Sequence, residues 1–453
     1  MAFRVSTPMT TQRKRTPWSQ GDRLLMIVLA LVLTAAGLGV WSQGRDRMPT
    51  LTVPTPAMPS PNAFDFYSRA SAAIIGDAII SPSTPHPPPV PTAAQVAVIQ
   101  QNAGAIALLH QGFLYPLQEP PVRSFSTLLP QYQHFRALAR MLGLAARVDA
   151  ARGDWAGAMG ASLDDVQMGE TLPRGGSLIG MLVGVACESI GRHPAWGYVD
   201  HLTAAQARAA ARRLEAIRAG HVPFADTVQE GEWTGQAGLL ELMRRRDWPG
   251  DFIAQSQNQS NNTSGGSPSL SDTFSAWQTA SAIRRAGRQT ILSHYTRYMD
   301  QAIANARRPY AAHPPDPALP DDPINRLMDS SNLSSTRINE TRSDTQNALL
   351  LTLLALRAYR LEHGAYPAAL SALAPGYLKA VPDDPFALSG PLRYRLAGAK
   401  FVLYSVGPDG NDDGGKPIFD ATKPAPSAPA GSDQRYNVQP ESRGDIVAGV
   451  NRY

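Results

Sequence analysis

The sequence predicts a mainly α-helical protein with a single N-terminal transmembrane helix, an extracytoplasmic bundle-like or solenoid-like helical domain, and a small α+β module near the C-terminus. Three observations predict this fold class. They are an uncharged apolar run at residues 24–41, apolar residues at helical spacing across residues 93–246, and a long apolar helix followed by two alternating segments after residue 334. A chain of 453 residues is long enough for two or three domains.

The first element is the apolar run that begins at Leu24 and ends at Trp41. Its 18 uncharged residues are enough to cross a bilayer as a helix. Five basic residues lie in the preceding basic tail, residues 1–23, and few follow the run. The positive-inside rule therefore places the N-terminus in the cytoplasm and the bulk of the chain outside. A cleaved signal peptide is the alternative, because residues 34–37 are small. The length of the run and its apolar far end favour a retained anchor.

Charge and cysteine content narrow the class of protein. The chain carries 42 basic and 37 acidic residues, and the basic residues form scattered pairs without interleaved aromatic residues. This pattern is typical of solvated helix faces and does not predict nucleic-acid binding. The single cysteine, Cys187, lies in an apolar helical run and is predicted to be a buried small hydrophobe. An exported chain without disulfides favours a bacterial envelope, with the anchor in the inner membrane.

Composition divides the rest of the chain. The helical domain is predicted at residues 62–310, and its clearest helices are at residues 131–151 and 204–219. Within it, the polar Gly/Ser-rich stretch at residues 255–271 is predicted to be a disordered loop. The other predicted segments are a Pro-rich stalk at 42–61, a single helix at 272–306, a linker at 311–333, the C-terminal module at 334–424 and a flexible tail at 425–453.

Three glycines, Gly176, Gly180 and Gly184, recur at four-residue spacing in an apolar run. In a membrane this spacing is typical of helix association. The run has only 11 residues before Glu188, however, and is too short to span a bilayer. We therefore expect a close helix contact within a water-soluble core.

The module begins with a helix, predicted at residues 335–363, that is apolar nearly all round between Ala348 and Leu356. A helix this apolar must be covered on two sides. Its second face is therefore predicted to dock on the helical domain or on a partner. Gly364 ends the helix, and residues 391–396 and 401–406 alternate as two antiparallel strands.

The loop after the second strand carries the candidate metal ligands. Asp409, Asn411 and Asp413 fit the start of a calcium loop, in which oxygen-bearing side chains at alternate residues surround the ion. Gly414 permits the sharp turn, and Asp420 stands at the twelfth position, where such loops close with a carboxylate. A strand precedes the loop, so it is not an EF-hand. A solvated Asp/Gly turn without metal is the alternative.

The order of elements from residue 345 to residue 415 resembles the globular domain of the major pseudopilins of type II secretion systems. The resemblance covers roughly 75 residues and is most specific at residues 359–367 and 403–410. It implies a structural, filament- or envelope-associated role without catalysis. It also implies an acidic calcium-binding loop, whose counterpart here is residues 405–413. The chain departs from the family in two respects: no Phe-rich processing site starts its membrane helix, and about 300 residues separate that helix from the module.

The sequence carries no motif that predicts an enzyme. The nine histidines are dispersed, and the carboxylate pair Asp383 and Asp384, which lies between two prolines, is predicted to form a structural turn rather than a catalytic pair. We therefore predict a non-catalytic structural or assembly protein that docks with itself or with pseudopilins, and we identify no small-molecule substrate. Two alternatives stay open. One is an envelope adaptor whose helical domain binds a partner protein, and the other is a hydrolase with an unrecognised site in that domain.

Overall fold

The computed structural model describes residues 46–76, 90–261, 270–312, 314–319, 324, 332–424 and 433–451, without the side chains of residues 255–261, 270–274 and 332. The predicted transmembrane run at residues 24–41 lies outside these ranges. Among the described residues, no helix combines the length and the apolar character needed to cross a membrane.

The described chain is mainly α-helical, which confirms the predicted class. Its helices are, in chain order, α1 (Ala63–Ala72), α2 (Ala93–Gln101), α3 (Ala103–Gly112), α4 (Gln131–Ala151), α5 (Trp155–Thr171), α6 (Leu178–Tyr198), α7 (Ala204–Arg218), α8 (Phe224–Met243), α9 (Trp248–Asn261), α10 (Leu270–Ala286), α11 (Arg288–Ala306) and α12 (Asn332–His363). An antiparallel sheet follows, with strands β1 (Arg393–Ala397), β2 (Lys400–Ser405) and β3 (Ile446–Val447) in that order across the sheet.

Local sequence signals explain several helix ends. α4 occupies residues 131–151, as predicted. α5 follows a turn at Gly153, and the Asp154 carboxylate accepts the amide N–H of Gly157 at 2.8 Å. α7 begins with a reciprocal cap, in which the side chains of Thr203 and Gln206 each accept the other residue's backbone N–H.

Two predicted boundaries in the helical domain are wrong. The single helix predicted at residues 272–306 is two helices, α10 and α11, because Gly287 stands between them at φ +79°, outside the right-handed helical region. The disordered loop predicted at residues 255–271 is wrong at both ends, since α9 continues to Asn261 and α10 starts at Leu270. The residues between these helices, 262–269, lie outside the described ranges.

The helical domain and the module share one apolar core. It contains side chains of α5, α6 and α7, together with α12 and the buried residues of the sheet. Leu349, Leu350 and Leu354 of α12 are fully buried, and α12 packs on both α6 and α7 and also on β2. The second face of this apolar helix therefore docks on the helical domain of the same chain. Two further cores lie around α1–α4 and around α8–α11.

α5 and α6 approach each other closely at their glycines. A Cβ atom on Gly184 would lie 2.5 Å from the carbonyl oxygen of Gly169, and one on Gly169 would lie 2.5 Å from the carbonyl oxygen of Gly184. Gly176 and Gly180 instead face the buried carboxylate of Glu119. Of the three regularly spaced glycines, Gly184 thus makes the predicted close helix contact within a core.

Replacing Gly184 by alanine is expected to destabilise the protein by about 1–3 kcal/mol, because the added methyl group meets the backbone of α5. Gly197→Ala in the same helix is the matched control, since a Cβ atom there meets nothing within 4 Å. Alanine has a higher helix propensity than glycine, so Gly197→Ala is expected to stabilise the protein by about 0.5–1 kcal/mol. Urea denaturation of the two variants measures both effects. If both variants changed the free energy of unfolding by the same sign and amount, the close contact between Gly184 and α5 would be contradicted.

Residues 433–451 belong to the module, which corrects the flexible tail predicted at residues 425–453. β3 pairs with β2 in this segment. Asn451 is fully buried, and its Nδ2 donates to the carbonyl oxygens of Ile418 at 2.9 Å and Tyr436 at 3.0 Å. A strand of two residues leaves no alternating pattern in the sequence, which explains the wrong prediction.

Candidate functional site

The predicted calcium ligands lie on and after the loop that follows β2, and two of them, Asp409 and Asp420, order local turns. Asp409 Oδ1 accepts the amide N–H of Asn411 at 3.1 Å. Asp420 Oδ1 accepts both the amide N–H of Thr422 at 2.9 Å and its hydroxyl at 2.6 Å. Such contacts are Asx turns, which need no metal.

The loop is organised around Asp445, a residue that the sequence analysis missed. Its two carboxylate oxygens accept the amide N–H groups of Asp413 at 3.3 Å and Gly415 at 2.7 Å. The residue is fully buried. Burial, together with the charges of Asp412 and Asp413, raises the pKa of the Asp445 carboxyl to about 6. The one sequence signal is an acidic residue directly before the apolar pair of β3.

The aspartates among the predicted calcium ligands do not form a ready-made metal site with one another. In the described part of the chain, no three or more histidine, cysteine, aspartate or glutamate side chains are grouped so that they could hold a metal ion. Asp409, Asp413 and Asp420 are therefore not gathered around one point. Calcium binding stays a prediction of the loop pattern and of the resemblance.

Asp384, of the pair Asp383 and Asp384, has the structural role that the sequence predicts. Asp384 is buried, and its Oδ1 accepts the amide N–H of Phe386 at 3.1 Å and the Ser405 hydroxyl at 2.6 Å. Its Oδ2 accepts the amide N–H of Val406 at 2.9 Å. These bonds fasten the corner before β1 to the end of β2.

A buried polar network joins α5, α6 and α12. Arg192 of α6 donates from one terminal nitrogen to Asn347 Oδ1 at 2.8 Å, to the Ser343 hydroxyl at 3.1 Å and to Glu188 Oε2 at 3.4 Å. Asn347 in turn donates to Glu170 Oε1 at 2.9 Å and Glu188 Oε2 at 2.8 Å. All five residues are buried. Because every group has a partner, the network fixes α12 against two helices of the helical domain.

His221 extends this network toward the surface. Its Nδ1 lies 2.8 Å from Glu170 Oε2, and its Nε2 lies 2.9 Å from Glu340 Oε1. Burial by itself lowers the pKa of His221, but the two carboxylates outweigh it and raise that pKa to about 12. The imidazolium is therefore charged at neutral pH and ties α5 to α12.

The cavity beside the network is too small for a substrate. It has a volume of about 10 Å³, close to the space of one water molecule, and His221, Glu170 and Glu188 line it. Sequence reasoning missed the network because its members lie on four segments that are far apart in the chain. Each of them, taken alone, resembles a polar residue on a helix surface.

One buried carboxylate lies outside any network. Asp165 of α5 is fully buried, and neither of its oxygens has a hydrogen-bond partner among the described residues. Burial raises the pKa of Asp165 well above its ordinary value, and the charges of Asp164 and Glu188 raise it further. The carboxyl group therefore keeps its proton to a higher pH than an exposed aspartate does.

We expect Asp165→Asn to stabilise the protein at neutral and higher pH. In the wild type the folded chain holds a proton on Asp165 that the unfolded chain releases above about pH 4. Stability therefore falls with rising pH, by up to about 1.4 kcal/mol per pH unit, until the folded pKa is reached. Asparagine has no such proton, so the variant lacks this loss of stability with rising pH. Unfolding free energies measured between about pH 4 and pH 8 test the expectation.

The exposed Asp200 offers a control for this prediction. Asp200→Asn is expected to change stability by less than about 0.5 kcal/mol across this pH range, because the residue is exposed. If Asp165→Asn also follows the wild-type pH profile, Asp165 is not a neutral buried acid.

Comparisons of the chain with models of protein families, with curated proteins and with solved structures find no match.

Proposed function

We propose that the protein is a membrane-anchored, extracytoplasmic structural or assembly component that acts without catalysis through the exposed face of its C-terminal module. The observation that carries this proposal is the docking of α12. The helix is held on α6 and α7 by the shared apolar core and on α5 and α6 by the buried polar network. A module held in this way suits the rigid display of a docking surface.

A contact at the far end of α12 supports the same conclusion. Arg208 of α7 donates to the Glu362 carboxylate at 2.5 Å and to the Gly376 carbonyl oxygen at 2.6 Å. Its guanidinium also lies over the Tyr377 ring, 4.0 Å from the ring centre. Both ends of the module helix are thus fastened to the helical domain.

The resemblance to pseudopilins supplies the partner class, which is a pseudopilin or a second copy of this chain. The large apolar side chains that the described part of the module exposes include Leu388, Leu396 and Phe419. We expect Leu396→Glu and Phe419→Glu to abolish self-association, measured by light scattering of the detergent-extracted full chain, or co-purification with pseudopilins. The exposed Leu128 of the helical domain provides a control, Leu128→Glu, that should behave as the wild type. A wild-type protein that is monomeric and binds no pseudopilin would refute the proposal.

A second candidate function, an envelope adaptor, is favoured by one observation. An apolar groove of about 210 Å³ lies between α5 and α7, lined by side chains that include Met159, Leu163 and Leu202. Ala209 lies at the groove and is exposed, so Ala209→Glu places a charge there without disturbing the core. Partner binding that is lost in Ala209→Glu and kept in Leu396→Glu would identify the adaptor. The opposite pattern would identify the assembly component.

Calcium binding by the loop is tested on the same full chain. A site filled at a hundred times its Kd adds about 2.7 kcal/mol to the free energy of unfolding. The calcium hypothesis therefore predicts a higher melting temperature with Ca²⁺ than with chelator, and no such difference in Asp413→Asn. An unchanged melting temperature of the wild type would identify the loop as a turn ordered by Asp445.

A further inference from the structure

A cleft of about 180 Å³ opens where α8 begins, α11 ends and α12 passes between them. We call it the basic cleft, after its lining by His221, Arg308 and Arg337, with Glu340 as the carboxylate in its wall. Phe224 and Tyr310 supply its aromatic surface. It has room for a small molecule, unlike the cavity of about 10 Å³ that His221 and Glu340 also line.

The charge of the basic cleft is positive. Glu340 is the one carboxylate in its lining, and its oxygens already meet His221 Nε2 at 2.9 Å and the Thr341 hydroxyl at 3.1 Å. Arg308, in contrast, is exposed, and its guanidinium forms no ion pair or hydrogen bond with any described residue. An unpaired guanidinium beside a second one favours an anionic ligand with two or more oxygens.

Arg337 forms the fixed side of the cleft. It is almost fully buried, and it donates to the backbone carbonyl oxygens of Asn305, at 2.9 Å, and Arg308 at the end of α11. These bonds use two of its five N–H donors. The guanidinium also lies about 6 Å from the ring centres of Phe224 and Tyr310. Its position is therefore set before any ligand arrives.

The N-terminus of α8 adds to the positive electrostatic potential of the basic cleft. Pro223 and Phe224 line the cleft, and α8 starts there without a side chain that accepts its first amide N–H groups among the described residues. The positive end of a helix of 20 residues thus faces the same space as the two guanidinium groups.

We propose that the basic cleft binds a small molecule that bears a carboxylate or phosphate group. Arg308 and Arg337 hold the anionic group beside the start of α8, and the rest of the ligand packs on Tyr310 and Phe224. This site goes beyond the docking role proposed above, since it gives the protein a ligand of its own. Its failure would leave that role untouched, because neither Leu396 nor Phe419, whose replacement tests that role, lines the cleft.

Isothermal titration of the detergent-extracted full chain tests the proposal, with inorganic phosphate and with succinate as probes at a constant ionic strength set by NaCl. The wild type is expected to bind at least one of them saturably. Arg308→Ala is expected to weaken that binding at least tenfold. The matched control is Arg307→Ala, which removes an exposed arginine that does not line the cleft and should leave the Kd unchanged.

The relative affinities for the two probes identify the class of ligand. Tighter binding of phosphate than of succinate assigns the phosphate class, and the reverse assigns the carboxylate class. Absence of saturable heat with both probes would overturn the proposal, as would equal Kd values for Arg308→Ala and Arg307→Ala. Because Arg308 is exposed, its replacement does not threaten folding.

Discussion

Arg192→Leu is expected to lower the free energy of unfolding by about 3–5 kcal/mol above about pH 8, where Glu188 is ionised. The wild-type guanidinium is buried and donates to Asn347, Ser343 and Glu188. Without it, a buried carboxylate loses its cation and two polar side chains lose a donor. Leucine retains much of the side-chain volume, so the loss reflects electrostatics more than an empty cavity.

The pH dependence distinguishes this electrostatic loss from a packing defect. Burial and the charge of Glu170 raise the pKa of Glu188 to about 8, and Arg192 limits that rise. In the variant the folded pKa is therefore higher still, while the unfolded pKa is unchanged. The deficit relative to the wild type is expected to widen as the pH rises through about 8 and to narrow below it. Urea titrations on both sides of that pH measure the change.

Arg212→Leu on α7 is the control for this variant. Arg212 is exposed, so its replacement is expected to change stability by less than about 0.5 kcal/mol at any of these pH values. A deficit for Arg192→Leu that is small, or that does not depend on pH, would show that the network contributes little to the fold.

Leu354→Ala is expected to cost about 2–5 kcal/mol, the range for removing a fully buried leucine from a core. Leu354 belongs to the core that unites α5, α6, α7 and α12 with the sheet. We therefore expect the variant to unfold in one cooperative transition at lower denaturant concentration. Two separate transitions would mean that the module and the helical domain are independent units.

Leu361 lies on the same helix as Leu354 and supplies the comparison. Its side chain is 44% exposed, so Leu361→Ala is expected to change stability by no more than about 0.5 kcal/mol. Equal costs for the two leucines would contradict the placement of Leu354 in the shared core.

The parts of the fold that the sequence predicts well are those whose signals are local. α4, the start of α7 and the β1–β2 hairpin each follow from a periodic pattern, a cap or a glycine within a few residues. The break between α10 and α11 was missed because a lone glycine inside a helical pattern is often tolerated. Only its φ of +79° shows that Gly287 ends a helix.

The candidate sites were predicted less well, because they depend on residues that meet only in the folded chain. The Asp/Gly loop was recognised from its spacing, yet the residue that orders it, Asp445, comes 30 residues after Gly415. The bond between Arg192 and Asn347 spans 155 residues. The basic cleft likewise combines Arg308 and Arg337 with His221, and no short motif links them.

The shared core also determines when the chain can finish folding. It joins residues as distant as Ala146 and Ile446. At a synthesis rate of about 5–20 residues per second, α7 leaves the ribosome about ten seconds or more before β3 does. Until α12 has emerged, the apolar faces of α6 and α7 are not covered by it, and they are exposed to aggregation. The shared core can therefore be completed only after residue 446 has emerged.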